Sequence, residues 1–394
     1  MKNTTVLISG ASIAGPALAY WLSRSGHAVT VVEKAPALRP GGQAVDFKGE
    51  TQLLVLKRMG ILDEVRRRQT GGTDQTIVDA NGRPLAVLPA AFTGGDVEIL
   101  RGDLSALLYE RTEADCEYVF GDSVTSLTDT AGGVHVTFEG GAPRTFDLVV
   151  GADGIHSAVR RLAFGPESAY VRFLGYHYAL ADLGVDLGAG MYNEPGRMVA
   201  LGGSASSASS VSSAFLVFAS GRLDHDRYDT QQHRRILTDA YRGMGWRVPE
   251  IVAALPEACD VHLDSISQVR IDHYARGRTV LLGDAAYGNT LGGFGTGLAV
   301  VGAYVLAGEL AEAGGDHRTA FRAYEEAFRG YARVARQGGA GSFLAPATRR
   351  GIRMRNLLFR SRFLLWAMLR TTDMFATDIR LKDYPALVGT SAAP

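Results

Sequence analysis

Apolar runs of strand length alternate with helical stretches from the start of the chain. Thr5 to Ser9 reads as a strand, Pro16 to Ser25 as a helix closed by Gly26, and Ala28 to Glu33 as a second strand. After a loop at Pro36 to Gly42, Gln43 to Lys48 leads into a helix over Glu50 to Met59, which Gly60 caps. Thr76 to Asp79 and Pro84 to Leu88 flank an Asn81-Gly82 turn and predict a hairpin. Val97 to Leu100 is a short strand, and a helix runs from Arg101 through Tyr109. Glu117 to Phe120, Val134 to Phe138 and Thr145 to Val150 are spaced by glycine pairs. They predict a small antiparallel insert that rejoins the main sheet at Leu148 to Val150.

From 165 to 275 the texture changes. Tyr170 to Asp182, Val211 to Ser220 and Val261 to Ile271 read as extended, Gln231 to Arg242 and Pro249 to Leu255 as helices. The Ser- and Ala-rich stretch Gly202 to Ser213 reads as a loop or hairpin tip. Thr279 to Leu282 is a buried strand, followed by the almost wholly apolar helix Leu298 to Leu310. His317 to Gln337 is amphipathic. Residues 342–371, with Leu357, Leu358, Phe363, Leu364, Leu365, Trp366 and Leu369, predict one further helix bridging the domains.

The expected fold class is α/β. A Rossmann-like nucleotide-binding domain with a parallel sheet takes residues 1–70, 97–165 and 276–340. A mixed-β-sheet substrate domain, 71–96 and 166–275, is interleaved with it. A helical segment, 341–394, closes the chain.

Composition narrows the function. Of 394 residues, 46% are hydrophobic, enough for large cores, and 41 basic side chains balance 41 acidic ones. No electrostatic case for nucleic acid or an anionic membrane arises. Cys116 and Cys259 have no metal-ligand spacing and read as thiols in a reducing cytoplasm. No metal site, signal peptide or membrane-spanning run is visible. A monomer or weak homodimer is expected.

Chemistry concentrates at three glycine–acid corners. The first is Gly10-Ala-Ser12-Ile-Ala14-Gly15, between a strand and a helix, with Glu33 23 positions beyond Gly10 at the next strand end. That is the place of an acid that takes the ribose of a dinucleotide. Ser12 replaces the middle glycine and is small enough for a pyrophosphate to approach. The second is Gly151-Ala-Asp153-Gly154, with Ser157 and Arg160 on a short following helix, a phosphate-handling arrangement. His156 reads there as a polar contact, since no partner is in view. The third is Gly283-Asp284, then glycines at 288, 292, 293, 295 and 297 before an apolar helix. A helix start offers free N–H groups and a positive dipole end to an electron-rich ligand. Arg101, just ahead of its helix, could face a phosphate or a flavin edge. Arg39 reads on spacing alone as a solvated loop charge.

In order and separation these corners resemble the class A flavoprotein aromatic monooxygenases, over nearly the whole chain. The likeness is strongest to the branch of tetracycline-inactivating enzymes and aromatic-polyketide hydroxylases. It implies bound FAD and transient NADPH or NADH. Gly10, Ser12 and Gly15 would meet the pyrophosphate, Glu33 the adenosine ribose, and Arg101 the flavin-side phosphate or ring, with Ala14, Lys34 and Arg39 also among the cofactor-binding residues. Asp153 would contact both coenzymes, and Asp284 the ribityl chain and pyrophosphate. Gly295, Thr296 and Gly297 would face the flavin N1–C2=O edge. The reaction implied is hydroxylation, through a flavin C4a-hydroperoxide, of a polycyclic aromatic or enolic small molecule with O2. A flavin-dependent dehydrogenase or oxidase without oxygen transfer is the alternative. The chain departs from the family at Tyr287 and Thr290, where histidine and proline are usual, and at Phe294 and Gly297. No catalytic residue is singled out; Tyr176, His177, Tyr178 and Tyr192 are candidates for a base.

Overall fold

The computed structural model describes residues 4–72, 74–90, 94–202, 212–293, 295–335, 339–361 and 381–388. The fold is α/β. Val6, Leu7 and Ile8 are fully buried because the strand Thr5–Ser9 is central, paired in parallel with Ala28–Glu33 on one side and Leu148–Gly151 on the other. Edge to edge, the six-stranded sheet runs Ala275–Arg276, Thr279–Leu281, Leu148–Gly151, Thr5–Ser9, Ala28–Glu33, Glu117–Phe120.

Glu117–Phe120 corrects one expectation. It pairs in parallel with Ala28–Glu33 and extends the main sheet instead of joining the antiparallel insert. The helix Arg101–Glu110 supplies the crossover that a parallel partner needs. The insert is built from Val124–Thr130, Gly133–Phe138 and Arg144–Phe146, the first of which the pattern did not reveal.

The second large sheet has seven strands, in the order Val261–Val269, Val171–Asp182, Ser213–Ala219, Arg197–Gly202, Gly190–Glu194, Gln75–Val78, Pro84–Leu88. The expected hairpin at 76–88 thus contributes its far edge. Gly190–Glu194 and Arg197–Gly202 were not anticipated, although Pro195-Gly196 between them is a turn signal. Of the expected loop at Gly202 to Ser213, residues 203–211 lie outside the described residues.

The two faces of this sheet differ. Ala179, Ala181, Tyr192, Val199, Leu201 and Phe218 pack under the helices Thr230–Tyr241 and Val248–Ala254. On the other face Met191, Met198, Val217 and Ile266 cluster with Leu174, Tyr176 and Tyr178. Leu291, from the glycine-rich stretch of the third corner, packs there, as do Phe343, Leu344 and Phe359 from the C-terminal part. This face looks toward the cofactor machinery.

The helix Gly295–Glu312 is apolar all round because it is buried on all sides, against the helices Ala14–Arg24, Glu50–Arg58 and His317–Ala335. The helix expected over 342–371 is divided. Ala340–Leu344 and Arg349–Arg360 are separate, because Pro346 cannot continue a helix. Buried Arg355 holds the two together, donating to the Phe343 and Leu344 carbonyls at 3.1 and 2.9 Å and to Asn193 Oδ1 at 2.7 Å. Residues 362–371 of that expectation lie outside the described residues. Among the described residues no helix is long and apolar enough to cross a membrane.

Candidate active site

The first corner is held by backbone contacts too close for side chains. A Cβ on Gly15 would overlap the Gly10 carbonyl oxygen, and one on Gly10 would overlap that of Ala152. Glu33 braces the turn: Oε2 accepts from the Ala11 N–H at 2.8 Å and Oε1 from the Ala35 N–H at 2.9 Å. Each carboxylate oxygen has a further lone pair, so the group can still take a ribose hydroxyl.

Ser12 and Arg101 meet. Arg101 donates from Nε at 3.1 Å and Nη2 at 2.9 Å to Ser12 Oγ, across 89 positions of sequence. Ser105, four residues along the same helix, donates to the Ser12 carbonyl at 2.9 Å. Gly102 N–H donates to the Gly41 carbonyl at 2.8 Å, which lays the 39–43 loop across the helix start. Lys34 and Arg39 are exposed. Lys34 Nζ stands 4.6 Å from the Tyr228 ring centroid, and Arg39 acts electrostatically on His262.

The second corner differs from its reading. Both Asp153 oxygens are engaged locally, by the Ser157 hydroxyl and the Val159 N–H. Arg160 is not a phosphate ligand. It is fully buried and donates to the carbonyls of Ala285 at 2.9 Å and Ile155 at 2.5 Å. It bolts the second corner to the third, one residue past Asp284. His156 is not alone either. Nε2 lies 3.1 Å from Asp264, and Nδ1 3.1 Å from Glu167. Burial alone would lower its pKa, but these hydrogen bonds hold it above the ordinary value. The partners are 108 and 11 positions away, so no local signal exposed them.

At the third corner Asp284 is open to solvent yet ringed by protein, as a side chain on a cleft floor would be. Among the described residues its carboxylate makes no hydrogen bond, and desolvation raises its pKa against the lowering pull of Arg101. Beside it, a Cβ on Gly295 would come within 3.3 Å of Asp284 Oδ1 and meet nothing else. Thr296 and Gly297 follow in the first turn of the helix, with the Gln52 side chain against Gly297. Leu291 holds a φ of 59°, a costly conformation for a branched side chain and one that clusters at functional sites. Tyr287 is core, its hydroxyl 3.4 Å from the Leu298 carbonyl, so the missing histidine leaves no gap. Thr290 donates its N–H to the Ser267 carbonyl at 3.0 Å. Phe294 lies outside the described residues.

The four candidate bases separate by face. His177 is buried against Phe218 and bonded to Ser220 Oγ at 2.8 Å; burial pushes it down to about 4. Tyr192 shares that covered face and donates to Glu194 at 3.0 Å. Tyr176 lies against Gly341. Tyr178 has Arg101 and Asp284 acting on it electrostatically, and its hydroxyl is 3.4 Å from His262 Nε2. Burial raises the Tyr178 pKa and lowers that of His262.

An exposed carboxylate without a hydrogen-bond partner among the described residues, an open glycine face beside it and a backbone-tight first turn fit an extended, phosphate-bearing cofactor. These features define a dinucleotide-type flavoprotein site. The chain belongs to the family described as FAD binding domain, which matches residues 3–333. It is 41% identical over 336 residues to an uncharacterized protein of Mycobacterium tuberculosis, covering 83% of this chain and 90% of that one. It is 35% identical over 339 residues to a flavin-dependent monooxygenase of Legionella longbeachae, covering 84% and 86%. The crystal structure of tetracycline destructase Tet(55) matches with a TM-score of 0.81 and 33% identity, over 98% of this chain and all of that one. The protein is thus an FAD-dependent flavoprotein monooxygenase of class A, in the branch the tetracycline destructases represent. Its substrates are O2 and a small molecule.

Proposed function

We propose that this monooxygenase hydroxylates a polycyclic phenol or enol, of tetracycline or anthraquinone-like shape, using electrons from NADPH or NADH. The observation that carries this reading is the sheet face bearing Tyr178, set against the cleft that holds Arg101 and Asp284. Residues 1–70, 97–165 and 276–340 form the FAD-binding domain, 71–96 and 166–275 the substrate domain, and 341–394 the helical closure. The protein works in the cytoplasm as a monomer or weak homodimer.

Bound FAD supplies the redox chemistry, accepting two electrons from the nicotinamide and activating O2. Balance requires that one oxygen atom enters the substrate and the other leaves as water. The chain's own residues do the rest. Gly10, Ser12, Ala14 and Gly15 make room for the pyrophosphate, with Glu33 and Lys34 at the ribose. Asp284 takes the ribityl and phosphate side, with Asp153 at the neighbouring corner. Arg39 and Arg101 add positive charge around the flavin. The helix opening at Gly295, Thr296 and Gly297 favours negative charge at the ring edge, a contribution of about 0.3–1 kcal/mol when exposed and up to ~2 when partly buried.

Tyr178, kept protonated by its raised pKa, donates a hydrogen bond to a substrate oxygen, and neutral His262 behind it, 3.4 Å from the hydroxyl oxygen, orients that donor. Leu291, Phe215 and Phe343 give the chamber the apolar walls that a flat ring system needs and that exclude water.

The test is a panel of polycyclic phenols with purified yellow protein. Substrate-stimulated NADPH oxidation with a mass gain of one oxygen is expected. NADPH oxidation that yields only hydrogen peroxide or a dehydrogenated product for every compound would favour the oxidase or dehydrogenase alternative.

A further inference from the structure

Strand register divides the cofactor-facing side of the seven-stranded sheet into rows, each crossing several strands. One row runs from Asp264 through Tyr178, Val217 and Met198 to Asn193. The next runs from His262 through Leu180, Phe215, Ala200 and Met191 to Ile77. Alternate residues of the same strands, Ala179, Leu216, Val199 and Leu263, are fully buried under the helices of the opposite face. Leu180, Phe215 and Ala200 are only half-buried, although they are apolar and sit on interior strands. A strip of that kind borders open space. The space adjoins the third corner: Leu291 clusters with Tyr178, Phe215 and Ala200, and its neighbour Thr290 is tied to Ser267 of the strand Val261–Val269.

Hydrogen-bonding groups are placed unevenly on these two rows. At one end the Tyr178 hydroxyl lies 3.4 Å from His262 Nε2, with Arg101 acting on the tyrosine and Arg39 on the histidine. Asp264, at the same end, is committed to His156. Asn193, at the far end, is committed to Arg355 and to the Leu344 carbonyl, each at 2.7 Å. Between these ends stand Leu180, Phe215, Ala200, Met191, Val217 and Met198, none of which offers a hydrogen bond of ordinary strength. From the strand of Leu180 to that of Met191 is three strand spacings, about 14 Å, long enough for a fused-ring body lying lengthwise. A ligand hydroxyl over this stretch would lose its water and gain no partner.

Resting on the hydroxylation reading above, we infer that the substrate is one-ended: a hydroxyarene whose single polar end meets Tyr178 and whose ring body, bare of hydrogen-bonding groups, lies along Leu180, Phe215, Ala200 and Met191. Ring systems that carry polar groups along their whole length, tetracycline among them, fit poorly. Leu180, Phe215 and Ala200 determine specificity by rejecting what they cannot satisfy.

The experiment uses the FAD-loaded protein and reads binding without turnover, from the change in flavin absorbance on titration. The probes are 6-methyl-2-naphthol and 2,6-dihydroxynaphthalene, equal in size and different at the distal group, with tetracycline as a third. The wild type should bind the methyl compound roughly 10- to 100-fold more tightly than the diol, the range open to an apolar pocket that meets an extra hydroxyl. Ala200→Ser and Leu180→Gln should each shrink that ratio by roughly threefold or more, as one new hydrogen bond would. Flavin content equal to that of the wild type shows that a variant has folded, and Ala200→Ser, which adds a single oxygen atom, is the gentler of the two. Wild-type protein that binds the diol or tetracycline as tightly as the methyl compound, or fails to bind the methyl compound, would overturn the inference; so would a ratio unmoved in both variants. The two readings fail separately. Selective binding of the methyl compound with no oxygen gained by any probe would sink the hydroxylation reading and leave the one-ended chamber standing. Oxygenation of the diol or of tetracycline in preference to the methyl compound would sink the chamber's polarity and leave hydroxylation standing.

Discussion

His156 Nε2 lies 3.1 Å from both carboxylate oxygens of Asp264, joining the second glycine–acid corner to the first strand of the seven-stranded sheet. With Glu167 on Nδ1, the imidazole is clamped between two acids. The His156 pKa is raised above the ordinary 6.5, so its stabilisation is complete below that value and is lost as pH rises through the raised one. The carboxyls of Asp264 and Glu167 are held below their ordinary values. For Asp264 burial is the largest single influence and would raise it, but the hydrogen bond and charge of His156, the Ser265 N–H and the Arg227 charge together outweigh it; for Glu167 the His156 bond is the leading cause. Their stabilisation is present above the ordinary values of 3.8 and 4.5 and is lost as pH falls through the lowered ones. The clamp is therefore strongest between about pH 4.5 and 6.5. Asp264→Asn should cost about 1.5–3 kcal/mol at pH 6 and much less at pH 9. Urea unfolding at both pH values checks this, and an equal loss at the two would count against the clamp.

Gly15 and Gly26 should respond differently to alanine. Gly15 has ordinary dihedrals but no space, since its added methyl would strike the Gly10 carbonyl oxygen. Gly26 has a φ of 82° and nothing within 4 Å. Gly26→Ala should cost about 1–2 kcal/mol of conformational strain and leave FAD content intact. Gly15→Ala should cost more, roughly 3 kcal/mol or above, and lower FAD occupancy, because the turn must open. Thermal melts and flavin absorbance of the two variants decide this.

This contrast also marks what the sequence made legible. The glycine spacing at 10 and 15, with Glu33 in register, announced a strand–turn–helix unit because each residue answers to its own backbone. Glu117–Phe120 went to the wrong sheet because nothing in a four-residue strand records its partner. The Arg101–Ser12 bond and the His156 clamp span 89 and 108 positions, and only the fold brings such pairs together. Arg160 misled for the opposite reason. An arginine beside a glycine corner reads as an anion ligand, yet here it satisfies buried carbonyls.

Asp284 tests the cofactor pocket directly. Its carboxylate lacks a hydrogen-bond partner among the described residues and has only the Arg101 charge to offset desolvation. A ligand hydroxyl would complete it. Asp284→Ala should weaken FAD binding by about 1.5–3 kcal/mol, roughly 10- to 150-fold, because a hydrogen bond to a charged group is lost. Flavin released on dilution, followed by its fluorescence, measures the change. Unchanged occupancy and turnover would show that the third corner has been misread.

Tyr178→Phe separates hydrogen-bond donation from base catalysis. With its pKa raised by burial, Tyr178 stays protonated across the working range, so its ionisation should leave no limb in the pH profile of kcat/KM below pH 10. Removing the hydroxyl should lower kcat/KM by about 10- to 100-fold, the range expected for losing one positioned polar contact. Uncoupled NADPH oxidation should rise, since the substrate is held less firmly while the reducing half-reaction continues. His262→Ala should give a smaller loss, because His262 meets the substrate only through Tyr178. If Tyr178→Phe instead abolished an alkaline limb seen in the wild type, a phenolate base would be indicated and the donor role would fail. If it changed neither coupling nor kcat/KM, the sheet face bearing Tyr178 would not be the one that receives the substrate.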